Sequence, residues 1–202
     1  MIQRLSALPA IVFLGLLLFV SVPADADLPA DAQAFVSTNG EEMLAILGEP
    51  SGAQRRDDFH TWLREVFDLD VLASLALGPY RQSATPEQLA AYNEAFASYI
   101  VVTYEARFDA FTGYTFQVGQ AKPMNNDDVA VRTSVIDPAG KPVAVDFRVR
   151  RSGNDFKVVD VAVEGLSMLK TQRDEFSAVI QREGLDGLIA SLQQRSQVIA
   201  GQ

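Results

Sequence analysis

Between Phe156 and Phe176 the chain reads FKVVDVAVEGLSMLKTQRDEF, and no other stretch restricts the fold as much. Its first half alternates as a strand does, yet it is apolar on both sides. Phe156, Val158 and Ala162 point one way, Val159, Val161 and Val163 the other. At Gly165–Ser167 the spacing changes to that of a helix. A half-buried strand needs only one dry face. This strand is therefore expected to be central, covered on both sides, or curved round a cavity.

The segments before it supply antiparallel partners. Strands are expected over 114–122, 129–136 and 142–150, followed by 155–163, because the intervening NNDD, DPAG and SGND are short and turn-forming. The third strand alternates cleanly. Val143, Val145, Phe147 and Val149 lie on one face, with Asp146, Arg148 and Arg150 on the other, so it has a dry side and a wet side.

Upstream the periodicity is helical. Helices are expected over 31–47, with Gly40 weakening the middle, over 52–67, and from Asp68 to the stop at Gly78-Pro79. The next start is the clearest: Thr85 as N-cap, Pro86 at the first helical position and Gln88 three residues on form a capping box. This helix is expected to run to about residue 111. It carries two apolar lines, Leu89, Tyr92, Phe96, Tyr99 and Thr103 beside Ile100, Tyr104, Phe108 and Phe111, so it is contacted on more than one side. Two more helices close the chain, separated at Gly184. The expected fold is α+β: a curved four-stranded antiparallel sheet wrapped by about six helices, which the resemblance described below makes an NTF2-like sheet round an apolar cavity.

At the N-terminus Arg4 precedes the apolar run Leu8 to Val22 and the small-residue site Ala24-Asp25-Ala26, the order of a cleavable secretory signal peptide. Residues 1–26 are assigned to that signal and 27–202 to one domain, mainly helical over 27–112, sheet over 113–165 and helical again over 166–202. An uncleaved anchor is the alternative. The chain has no cysteine, so export to an oxidising compartment leaves nothing to oxidise. Twenty-six acidic residues against 17 basic ones argue against a nucleic-acid partner. A monomer is expected.

A search for chemistry returns little. Without cysteine, with a single histidine and with no phosphate-binding glycine loop, no catalytic residue and no metal-ligand set is assigned. His60 is read as a surface or helix-packing residue. Asp160 is either a buried acid of raised pKa or a carboxylate hydrogen-bonded to backbone or to an arginine such as Arg173. Glu164 is expected to satisfy amide groups.

The opening stretch resembles the signature of the MlaC-type, or toluene-tolerance, family of periplasmic phospholipid-binding proteins, which includes a hopanoid-associated HpnM branch. That signature reads W-[KR]-V-x-D-hydrophobic-x-[VI]-E-G-[VI]-S, followed by R-x-x-F. Val158, Asp160, Glu164, Gly165, Ser167, Arg173 and Phe176 stand at matching places, and Phe67-Asp68, Ala76-Leu77-Gly78, TPEQ, Thr103-Tyr104 and REGLDGLIASL extend the match. Phe156 in place of Trp, Tyr80 where Trp is common, and Gln172 where Tyr often stands depart from it.

The resemblance implies a carrier with no cofactor, whose cargo is a bound phospholipid. Its partners would be an inner-membrane ABC transporter with its substrate-binding-domain subunit and an outer-membrane lipoprotein complex, and its role the upkeep of outer-membrane lipid asymmetry. Acyl chains would lie between Tyr92, Phe96, Tyr99, Ile100, Thr103, Tyr104 and Phe108 of the long helix and the strand residues Val143, Val145, Phe147, Val149, Val159, Val161 and Val163. Phe116, Val131 and Leu166 complete the candidate lining. Asp160, Glu164, Gly165, Ser167 and Arg173 are assigned structural roles. A hopanoid or other polycyclic lipid is the rival cargo; an enzyme of similar fold using Asp160 or a tyrosine is the more distant alternative.

Overall fold

Local capping chemistry sets the helix starts in the computed structural model, which describes residues 27–153 and 155–200. The expected signal segment 1–26 lies outside the described residues, as do the side chains of Phe108 and Asp109. The helices are α1 (Leu28–Gly48), α2 (Ala53–Val66), α3 (Leu69–Leu77), α4 (Pro86–Glu105) and α5 (Met168–Ala200). Asp68 caps α3 by accepting from the Val71 amide at 2.9 Å. At α4 the capping box closes reciprocally: the Gln88 amide donates to the Thr85 hydroxyl at 3.2 Å, and the Thr85 amide donates to the Gln88 side chain at 3.1 Å.

Two helix boundaries differ from expectation. α4 ends at Glu105 rather than near 111, because the chain tightens into a 3₁₀ turn at Phe108–Phe111 and then into Gly113, at φ 81°. The two closing helices do part at Gly184, as expected, but with no loop between them, so they run as one 33-residue element, α5; the φ of 76° and ψ of 176° at Gly184 suit only glycine. The described residues thus hold five helices, not about six.

The strands are β1 (Thr115–Pro123), β2 (Asp128–Ile136), β3 (Pro142–Ser152), β4 (Asp155–Val163) and the short β5 (Leu166–Ser167), antiparallel throughout and in sequence order. β5 is a fifth strand beyond the four expected. It exists because Glu164 and Gly165, at φ 50° and 81°, make a two-residue turn with both central residues left-handed. The Glu164 carboxylate then accepts from the Ala144 amide at 2.7 Å, while its own amide donates to the Ala144 carbonyl at 2.9 Å. A side chain extends the β3–β4 ladder by one step.

The doubly apolar strand has a different explanation from the one its alternation suggests. β3 and β4 pair Val145 with Val163, Phe147 with Val161 and Arg148 with Asp160, but the next pair is Val149 with Val158. Val159 is an extra residue, and this bulge reverses which side chains share a face. Phe156 and Val158 therefore join Val161 and Val163 on the inner face. The other edge of β4 is taken up by β5 and by the corner between α2 and α3, where Phe67 bridges to Val158 and the Asp68 amide donates to the Val158 carbonyl at 3.1 Å.

α1 covers part of that inner face. Ala32 and Val36 pack on Val129, Val131 and Val149, all at most 4% exposed. Gly40 in mid-helix is where the Phe116 ring seats: a Cβ there would lie 2.3 Å from a ring carbon. Its low helix propensity is the counterpart of close packing. The opposite face is polar. Asp128 is 1% exposed and is sealed by Arg148 and Arg150, whose side chains are 31% and 33% exposed. Arg150 Nε donates to its Oδ1 at 2.7 Å, Arg148 Nε to its Oδ2 at 3.0 Å and Asn125 Nδ2 to its Oδ2 at 3.0 Å. The Arg150 hydrogen bond, with smaller contributions from Arg148 and Asn125, outweighs burial and holds this carboxyl well below the usual carboxylate range.

Two outcomes follow. Gly40→Ala should destabilise the protein by about 1–2 kcal/mol in denaturant titration, although Ala gains about 1 kcal/mol in helix propensity, and the penalty should shrink in a Phe116→Leu background. A depressed folded pKa contributes stability that is fully present above the unfolded value of about 3.9 and is lost progressively as pH falls from there through the folded pKa. Wild-type stability should therefore drop between about pH 5 and pH 2 more steeply than that of Asp128→Asn, which should already be weaker by a few kcal/mol at pH 7.

Candidate functional site

Buried side chains gather in three separate clusters. Tyr92, Phe96 and Phe176 centre the first, between α3, α4 and α5, with Phe176 edge-on to both other rings at 6.2 Å and the Tyr92 hydroxyl donating to the Ala73 carbonyl at 3.0 Å. Phe59, Leu63 and Val101 mark the second, between α1, α2 and α4. The third joins α1 to the sheet through Val129, Val131 and Val149. Val143, Val161, Val163, Thr103 and Tyr104 belong to none of them.

These residues lie on two parts of the fold, the inner face of β3 and β4 and the C-terminal half of α4. Along the inner face, Val149 is sealed and Val145 is 8% exposed, whereas Val143, Phe147, Val161 and Val163 keep accessible surface. Along α4, the line of Tyr92 and Phe96 continues into half-buried Tyr99 and Ile100, which still pack against the first cluster, and then into half-buried Thr103, which does not. Tyr104 lies one turn beyond Ile100 on α4. It is 42% exposed, yet it is surrounded by enough protein that burial raises its phenol pKa, with Arg107 opposing and Tyr99 and Asp160 adding to the rise. Both observations hold if its accessible surface opens into a recess rather than onto the outer surface.

The candidate cleft would lie between the last turns of α4, the start of β3 and the end of β4, where these accessible apolar residues fall. Leu166, 69% exposed on β5, and Phe111, 41% exposed, are the large apolar side chains left open in the neighbouring turns. Of the candidate lining, Tyr99, Ile100, Thr103, Tyr104, Phe116, Val143, Phe147, Val161, Val163 and Leu166 retain accessible surface. Tyr92, Phe96, Val131, Val149 and Val159 are at most 2% exposed, already enclosed by protein atoms. Val145 sits between the two groups, and the Phe108 side chain lies outside the described residues. Val135 was missed. It pairs with Phe116 and Val143 on the inner face and stays half-buried, a position that the alternation Val129, Val131, Thr133, Val135 could have identified.

The polar residues at the cleft are committed to structure. Ser167 Oγ donates to Asp160 Oδ2 at 2.6 Å, and the Leu169 amide donates to Asp160 Oδ1 at 3.2 Å. The same Ser167 oxygen accepts from the Lys170 amide at 3.0 Å, so Asp160 and Ser167 jointly cap α5. Arg173 is not the partner of Asp160: its Nε donates to the Leu75 carbonyl at 2.9 Å and ties α5 to α3. His60 meets Glu105 at 2.8 Å and ties α2 to α4. The Thr103 hydroxyl is buried with no hydrogen-bond partner among the described residues. Among those residues, no three acidic or histidine side chains are grouped to hold a metal ion, and no helix is long and apolar enough to cross a membrane. What the arrangement can do is remove an apolar molecule from water.

Comparison with known proteins adds to the geometry. The sequence profile described as MlaC protein matches residues 37–194. The intermembrane phospholipid transport system binding protein MlaC of Haemophilus influenzae is 25% identical over 131 residues, 63% of this chain and 61% of that protein. Toluene tolerance protein ttg2D of Pseudomonas putida is 28% identical over 131 residues, 64% of this chain and 61% of that protein. The chain thus spans 61% of the length of these curated relatives. A phospholipid-binding protein from Ralstonia solanacearum, solved in complex with a phospholipid, superposes with a TM-score of 0.74 at 31% identity, covering 84% of this chain and 99% of that one.

The α5 cap supplies a test of the structural role of Asp160. Asp160→Ala should cost about 1–2 kcal/mol and raise amide exchange at Leu169 and Lys170, while Asp160→Asn, which keeps an acceptor for Ser167, should cost less. Equal stability of Asp160→Ala and wild type in denaturant titration would contradict the capping role.

Proposed function

The chain belongs to the MlaC protein family, and from that premise we propose that it is a periplasmic phospholipid carrier, exported by a cleavable signal peptide. It takes lipid acyl chains into the cleft between α4 and the inner face of β3 and β4 and leaves the headgroup in water. Accessible apolar residues at the ends of α4, β3 and β4, among them Tyr104, Val143, Val161 and Val163, which none of the three clusters includes, carry this reading, together with the likeness to a structure holding a phospholipid. Its proposed partners are an inner-membrane ABC transporter and an outer-membrane lipoprotein complex, between which it moves lipid and so helps to maintain outer-membrane asymmetry.

The energetics suit a carrier. Burying one methylene is worth about 0.8 kcal/mol against water, so a chain of about fifteen gains roughly 12 kcal/mol. Against a bilayer the gain is near zero, because the chain is dry in both places. Lipid is held in transit and released only where a partner provides a dry route. In this reading Asp160 has a structural task, each of its carboxylate oxygens accepting a hydrogen bond at the start of α5.

Mass spectrometry of lipids extracted from the natively purified exported chain should find a glycerophospholipid at near-stoichiometric occupancy. Val163→Trp, at a half-buried cleft position, should lower occupancy several-fold while leaving the unfolding midpoint within about 1 kcal/mol of wild type. A polycyclic lipid in place of the glycerophospholipid would change the cargo; a lipid-free protein, or unchanged occupancy in the folded variant, would overturn the cleft assignment.

A further inference from the structure

We propose that the groove beside α3 is a docking site for a partner-protein segment that carries a carboxylate next to an apolar side chain. The groove has a volume of about 570 Å³ and lies where the turn after α3 meets the N-terminal parts of α4 and α5. Leu75 and Leu89 give it apolar walls, Arg81 and Arg173 give it charge, and its other lining residues are uncharged. No carboxylate lines it, in a chain whose acidic groups outnumber basic ones by 26 to 17.

The two guanidiniums are uncommitted in different ways. Arg81 makes no hydrogen bond or ion pair with any described residue. Arg173 spends only Nε, on the Leu75 carbonyl, and its stem runs past Gly78, where an added Cβ would stand 3.5 Å from Arg173 Cδ. Held at two points, it presents its terminal nitrogens with little left to lose in side-chain freedom. Arg132, Arg148, Arg150, Lys170 and Arg182, by contrast, each rest on a carboxylate of the protein itself.

Charge complementarity selects the occupant. A chain of net charge −9 repels anionic surfaces in general, and an acidic bilayer meets that repulsion over its whole area of approach. A short acidic segment meets only the groove, where the sign is reversed. The groove is also remote from the cleft: Leu89 and Thr103 are separated by 14 residues of α4, about 21 Å at 1.5 Å per residue. A partner seated here would orient the carrier without obstructing the cleft. This inference extends the carrier reading, since it supplies the contact by which such a protein would be aligned, but it stands on its own residues.

The test is an NMR titration of the ¹⁵N-labelled exported chain with the acetylated, amidated peptide Glu-Leu-Glu-Leu, and in parallel with Lys-Leu-Lys-Leu and with phosphatidylglycerol vesicles. The acidic peptide should move the Nε–H signals of Arg81 and Arg173 and the Gly78 amide saturably, the basic peptide should not, and Arg81→Gln should weaken the binding at least fivefold with lipid content unchanged. Arg173→Lys, which keeps the charge but loses the fork, should weaken it by less than Arg173→Gln. Absence of a saturable response at these signals, an equal response to the basic peptide, or a response to vesicles alone would overturn the proposal. Lipid content is measured on the same samples. A lipid-free chain that still binds the acidic peptide would remove the carrier reading and keep the groove, and a lipid-loaded chain that ignores it would do the reverse.

Discussion

The sheet carries more apolar surface than α1 covers, and the rest of the structure is arranged around that mismatch. In an ordinary domain a second helix would settle on the remainder, because each buried methylene favours closure by about 0.8 kcal/mol. Here the helices are tethered elsewhere. The corner between α2 and α3 is held to the edge of β4 by the Phe67–Val158 bridge and the Asp68 amide. The start of α5 is fixed by Asp160 and Ser167, and Arg173 ties it to α3. α4 in turn packs against both α3 and α5 through Tyr92 and Phe96. The helical layer is internally satisfied and has little to gain by moving, so the unclaimed strand residues stay unclaimed.

Much of this was legible in the amino-acid order, and what was not has identifiable causes. The starts at Asp68 and Thr85 were readable because a cap is a local event, settled by a side chain and an amide three residues away. The alternation of β3 was readable because its outer face is charged. The bulge at Val159 was not, since a run of valines is equally consistent with one parity or two, and only the partner strand decides the register. Gly40 looked like a weak point in α1; its reason is the Phe116 ring, some 76 residues away in the chain and invisible to any local pattern. Gly165 and Glu164 were recognised as a motif, but the two-residue strand they create is too short to show a period.

The candidate lining divides along the same boundary. Periodicity marks a residue as apolar and inward-facing, and it did so for Tyr92, Phe96, Val131 and Val149 as well as for Tyr99, Val143 and Val163. It does not distinguish a side chain that meets protein from one that meets empty space. That distinction depends on where the three clusters end, and therefore on how far α1 and α4 reach across the sheet.

Division of the interior into three small clusters has a thermodynamic consequence. A domain of this size usually gains much of its cooperativity from one continuous core. Here no cluster joins the helical layer to the sheet residues Val143, Val161 and Val163, and on the carrier reading the cleft lies in that gap. On the carrier reading, the cargo is the piece that joins them, so the bound molecule behaves as part of the hydrophobic core, supplied from outside and removable. Affinity for lipid and resistance to unfolding are then linked through mass action, and a loaded carrier is the more stable one. A partner that draws the cargo out would also loosen the protein that held it, and the emptied chain would gain free energy by being refilled.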